Sequence, residues 1–154
     1  TFEDYTVDQM FDIFLSHCKN EEYILHDSAK EKLKKYLFGN YSERKILSVA
    51  IGFVIFAREE KELFRTIFLD TTERFEKIYE ETLRELLTKE NLLESFPALE
   101  EDEAKNAVTK IWYFLFGYAT ILCTRLDDNY RKNETNEIIE NKIAEIVNHF
   151  KMQI

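Results

Sequence analysis

Histidine, cysteine and carboxylate side chains are where a metal or a proton-transfer centre has to be sought, and here they form no working pattern. His17, His26 and His149 are scattered. A di-iron helical bundle needs Glu-x-x-His pairs projecting inward from facing helices. The residues three positions before the histidines are Phe14, Tyr23 and Ile146. His17 stands beside Cys18, a pair that binds a metal only with further ligands from elsewhere in the fold. Cys18 and Cys123 are far apart and lack Cys-x-x-Cys spacing, which points to reduced intracellular thiols and a cytoplasmic protein. No His-Glu-x-x-His, Gly-x-Ser-x-Gly, phosphate loop or Gly-x-Gly-x-x-Gly occurs. The carboxylates sit in runs such as Glu59-Glu60, Glu80-Glu81 and Glu100 to Glu103, the pattern of a solvated face, and none falls inside an apolar run where burial would tune it for acid–base work. The expectation is a protein that is not an enzyme, with no metal and no cofactor.

What stands out instead is the aromatic load: thirteen Phe, eight Tyr and one Trp, 14% of the chain. Many lie on the long apolar segments, including Phe53, Phe56, Phe64, Phe68, Phe75, Tyr79, Trp112, Phe114 and Phe116. Aromatic side chains at helical spacing either fill a core or line an apolar pocket between helices, and patterning alone leaves both open.

The elements that carry these rings read as helices. Val7, Met10, Phe11, Phe14, Leu15 and Cys18 form an amphipathic stripe over Val7 to Lys19. Asp27 or Ser28 caps a second helix, which Gly39-Asn40 interrupts because both residues tolerate left-handed backbone. Ser42 to Arg58 is apolar nearly all round and belongs in the middle of a domain. A charged turn and a short apolar helix over 63–69 follow, then an amphipathic helix carrying Phe75, Tyr79 and Leu87. Asn91 to Glu101, with Pro97, reads as a loop. Asp102 caps a helix reaching about Arg125, whose apolar arc is about twice the ordinary 100° and asks for partners on two sides. Leu126 to Glu134 reads as a polar connector, and Thr135 to Lys151 as a last amphipathic helix.

Composition agrees. The 154 residues contain one Pro and three Gly, too few for the turns of a β-sandwich, so an all-α bundle of about six helices in one domain spanning 1–154 is expected. The net charge of −9 argues against direct contact with nucleic acid, whose binding surfaces are basic. No signal peptide opens the chain, and the apolar runs Ile46 to Ala57 and Ile111 to Cys123 are shorter than the roughly 20 residues of a membrane span, so no membrane partner is expected.

The stretch Phe53-Val54-Ile55-Phe56-Ala57-Arg58-Glu59-Glu60-Lys61-Glu62-Leu63-Phe64-Arg65-Thr66-Ile67-Phe68-Leu69 resembles the regulatory domain of TetR-family transcription regulators. There a long apolar helix ends in Phe-Ala, followed by charged residues, Leu-Phe-Arg and a short apolar helix. Ile111 to Leu122, with Trp112 and Gly117, is similar to the family's penultimate helix, and Ala29 to Leu37 to the start of its long helix. The family's N-terminal helix-turn-helix, about 50 residues, has no counterpart, and the chain begins at Thr1, as a ligand-sensing and dimerisation part cut from a longer protein would.

The resemblance implies roles. The last two helices of two subunits would pack as a four-helix dimer bundle through Val108, Leu115, Tyr118, Ala119, Leu122, Ile139, Ile143, Ile146 and Phe150. A hydrophobic or aromatic small-molecule effector would sit among Phe14, Phe53, Phe56, Phe75, Tyr79, Trp112 and Phe116. Its binding would alter the spacing of two DNA-reading heads supplied by the missing N-terminal domain, which address half-sites about 34 Å apart. The rival readings are a helical interaction module with no small-molecule ligand, and an enzyme on an all-α scaffold.

Overall fold

Twelve successive residues, Ile46 to Ala57, are buried on one helix, and the rest of the fold is arranged around them. The computed structural model describes residues 28–69, 84, 86–124 and 128–153. Helix α1 covers residues 28–37 and α2 spans Lys45–Glu59. Helix α3, Lys61–Phe64, continues into a π-helical turn over Arg65–Leu69. Then follow α4 (Lys89–Ser95), α5 (Glu101–Thr124), α6 (Asp128–Asn133) and α7 (Asn136–His149). No strand occurs among the described residues, so the all-helical class is as the turn-poor composition implies. Because α2 is apolar all round it needs neighbours on every side, and α3, α4, α5 and α7 all pack against it.

Helix α1 meets α2 at backbone distance. A Cβ on Gly52 would lie 2.1 Å from the carbonyl oxygen of Tyr36, so only glycine allows this approach. The Tyr36 ring stands edge-on to Phe56 with centroids 5.5 Å apart. Its hydroxyl donates to Glu59 Oε2 at 2.7 Å, and Lys32 pairs with Glu60 at 3.0 Å. The break at Gly39-Asn40 is present, and Asn40 takes the left-handed conformation (φ 58°).

Two helices occupy segments whose composition reads as loop. Over Lys89–Ser95, Thr88 accepts the Asn91 backbone N–H as N-cap, and Leu92 and Phe96 are buried four residues apart. Pro97 then stops the helix rather than marking the whole stretch as irregular. In the expected polar connector, Asp128 pairs with Arg131 within the six-residue α6. Helix α5 starts earlier than a cap at Asp102 allows. Glu101, Asp102 and Glu103 fill its first turn, and the Glu103 carboxylate reaches back to the Glu100 backbone N–H.

Helix α5 runs for 24 residues and is long and apolar enough by length and composition to cross a membrane, although the uninterrupted apolar run inside it is shorter than a span. One side of it, Ala104, Ala107, Ile111, Leu115, Ala119 and Leu122, is buried in this chain's own core, as in a core helix. Helix α7 begins at the cap Thr135 and ends in a Schellman motif. Lys151 is left-handed (φ 65°), its N–H donates to Asn148, and the Met152 N–H donates to Val147. Met152 is buried, and the Gln153 N–H donates to the Ser95 carbonyl at 2.7 Å, tying the end of α7 to α4.

Candidate functional site

The first candidate is the aromatic cluster where α2, α3 and α5 meet. The Phe53 ring is its hub, with centroids 5.0 Å from Trp112, 5.2 Å from Phe68 and 5.6 Å from Phe64. Phe64 and Phe68 are 5.0 Å apart, Phe116 is 5.9 Å from Trp112, and Phe64 is 6.4 Å from Phe116. Of the expected lining residues, Phe53, Trp112 and Phe116 are therefore brought together. Phe56 is not with them: it lies one helical turn further along α2, fully buried against Tyr36. Phe14, Phe75 and Tyr79, together with the expected helix over Val7 to Lys19, lie outside the described residues. Phe64 and Phe68, outside the expected lining set, pack in the same cluster. Their signal was the i, i+4 spacing in the short apolar helix.

Trp112, Phe116 and Thr120 follow one another at four-residue steps along α5, all half-buried. The Thr120 hydroxyl oxygen is buried and has no hydrogen-bond partner among the described residues. A buried hydroxyl without a partner is uncommon, and this one stands one helical turn beyond Phe116 on α5.

The second candidate is the outer face of α5 and α7. The side chains expected to meet another subunit are mostly used inside the chain. Leu115, Tyr118, Ala119, Leu122, Ile139 and Ile143 are buried in its own core, while Val108, Ile146 and Phe150 are half-buried. The reason is that α5 is apolar on two sides, and α2 packs on the side that carries Ile111, Leu115 and Leu122. The outward side presents Tyr113 (68% exposed), Phe114, Gly117 and Ile121 (48%) instead. With Tyr118, Tyr130, Lys142, Glu145 and Ile146 these residues line an open groove of about 540 Å³. Gly117 lies in it, and a Cβ there would meet nothing within 4 Å. Glycine inside a helix costs about 1 kcal/mol relative to alanine, and no contact within the described fold calls for it.

Beneath the groove lies Glu134, the one carboxylate among the buried described residues, 5% exposed. Its Oε1 accepts from the Tyr118 hydroxyl at 2.9 Å and from Lys142 Nζ at 2.6 Å. Lys142 also lies 5.5 Å over the Tyr118 ring. The Glu134 carbonyl accepts from Arg58 Nη1 at 2.8 Å, and Arg58 Nη2 donates to Asn136 Oδ1 at 2.6 Å. Burial first, and then the hydrogen bond to the Glu134 carboxylate, push the Tyr118 hydroxyl well above the usual tyrosine range. Tyr36 is raised by burial and by Glu59 in the same way. Burial also raises the Cys123 thiol, which is fully enclosed and donates to the Lys61 carbonyl.

No group of three or more His, Cys, Asp or Glu is placed to hold a metal among the described residues. His149 sits at the end of α7 with its ring edge-on to Phe150, and His17, His26 and Cys18 lie outside the described residues. No protein-family model, no curated protein and no solved structure matches the chain.

Proposed function

We propose that the chain is the effector-sensing and dimerisation part of a TetR-type transcription regulator, a cytoplasmic homodimer that addresses DNA only through a separate N-terminal head. The observation that carries the proposal is the largely apolar groove on α5 and α7, open among the described residues, with a bare helical glycine in it. The likeness of 53–69 and 111–122 to the family's regulatory domain supports the same reading. A second copy is the occupant the charges favour. Lys142 and Glu145 both line the groove, one turn apart on α7, so a two-fold partner with α7 antiparallel sets each lysine against the other copy's glutamate. Gly117 lets the two α5 helices cross closely. The effector is a hydrophobic or aromatic small molecule held beside Phe53, Trp112 and Phe116, with the Thr120 hydroxyl as its polar anchor.

Sedimentation of the chain over about 1–100 µM tests the dimer, with Gly117→Leu expected to leave a folded monomer. Thermal-shift measurement with apolar and cationic-aromatic compounds tests the effector. A stabilising compound should lose most of its effect in Thr120→Val, which removes the hydroxyl and keeps the shape. A monomer at every concentration, or no stabilisation by any compound, overturns the corresponding half.

One observation favours a second reading, a helical interaction module with no ligand. Phe53, Phe64, Phe68, Trp112 and Phe116 already stack on one another, as rings filling a core do. In that case the dimer stands and the compound screen is silent.

A further inference from the structure

We infer that Glu134 is a pre-placed counter-charge that makes the groove's Lys142 compatible with being covered by a second copy of the chain. The inference rests on the self-association reading above and concerns what sets the strength of that contact.

The problem it solves is electrostatic. Lys142 lines an otherwise largely apolar groove, and its side chain is 48% exposed in the single chain. Covering the groove strips water from the ammonium group. An ammonium buried without a partner opposes association strongly, whereas one already paired and hydrogen-bonded does not. Glu145 of the second copy is one source of compensation, but its side chain is solvent-exposed until that copy arrives. Glu134 is different in kind. Its carboxylate is enclosed before any partner arrives, and three elements hold it in place: Arg58 of α2 grips its carbonyl, Tyr118 of α5 donates to its carboxylate, and its own N–H donates to the Tyr130 carbonyl of α6. Lys142 of α7 comes to this fixed anion at 2.6 Å, and its ammonium lies over the Tyr118 ring at the same time.

The desolvation of Glu134 is thus met during folding, and the lysine enters the contact as half of a neutral pair with no rearrangement. Preorganisation of this sort lowers the free-energy penalty of association rather than adding a contact. Glu134 touches no second copy itself. It is a positioning residue that acts through Lys142.

The test compares four forms of the chain by sedimentation equilibrium: wild type, Glu134→Gln, Lys142→Met and the double variant. Circular dichroism and urea midpoints check that each is folded. Glu134→Gln keeps an acceptor for Tyr118 and removes the charge, and the dimer should weaken by about tenfold or more. The double variant removes both charges and should return the dissociation constant to within about threefold of wild type, because an uncharged pair of similar volume is compatible with burial. A general structural role for Glu134 would not be rescued by Lys142→Met. If Glu134→Gln does not fold, the double variant decides: dimerisation supports the inference, and a folded monomer overturns it. Equal dimer strength in wild type and Glu134→Gln overturns the counter-charge and leaves self-association standing. A monomeric wild type overturns self-association, and the counter-charge falls with it.

Discussion

Gly52 and Gly117 show how differently one residue type behaves in two settings. At Gly52 the missing side chain is required by the Tyr36 carbonyl, 2.1 Å from where a Cβ would stand. Gly52→Ala must push α1 off α2 and should destabilise the chain by about 1–3 kcal/mol. At Gly117 the space is open, so Gly117→Ala should stabilise the monomer by about 0.5–1 kcal/mol through helix propensity. Urea midpoints of the two variants check both, and a shift in the same direction for both would contradict this account. Tyr118 carries a pH signature. Its hydroxyl titrates above the ordinary value of 10.0 in the folded chain, because burial and the Glu134 carboxylate favour the protonated form. A pKa raised on folding gives stability that is complete below about pH 10 and is lost as pH rises beyond it. Tyr118→Phe should therefore flatten the alkaline fall in stability between about pH 9 and 12, and an unchanged slope would sink the assignment. At this scale the sequence was legible where spacing carried the information. Phe53, Trp112 and Phe116 do come together, but nothing in the local pattern separates Phe56, which α1 claims through Tyr36.

Among the elements, α4 and α7 each open on a threonine cap. Thr88 and Thr135 each accept a backbone N–H at the start of α4 and α7, at 3.3 Å in both cases. Thr135→Ala should cost about 1 kcal/mol. It should also loosen the neighbouring Glu134, so its effect on association should exceed that of Thr88→Ala, which a comparison of dimer strength will show. Long helices were readable because periodicity accumulates over several turns: α2, α5 and α7 lie close to where apolar spacing puts them. Helices α4 and α6 were hidden because one or two turns contain too few apolar positions to set a period. Their cues were a threonine cap with Leu92 and Phe96, and a single Asp128–Arg131 pair. The wide apolar arc of α5 was also readable, whereas the division of that arc between inside and outside was not. Both stripes have helical spacing, and only the position of α2 decides which one is buried.

For the molecule as a whole, self-association implies that stability depends on concentration. A partner that binds the folded chain and not the unfolded one raises the melting temperature by mass action. Raising the chain from about 1 to about 100 µM should raise Tm by a few degrees, and Gly117→Leu should remove the dependence while keeping the fold. A Tm independent of concentration in the wild type would argue against the α5–α7 face as a contact between copies. The docked end of α7 bears on the order of events during synthesis. Ser95 receives its hydrogen bond from Gln153, and Met152 is enclosed in the core. Helix α4 is thus fastened by residues that leave the ribosome after every other described element of the chain. Its final seating waits on them, and until then α4 lacks its last fastening to the core.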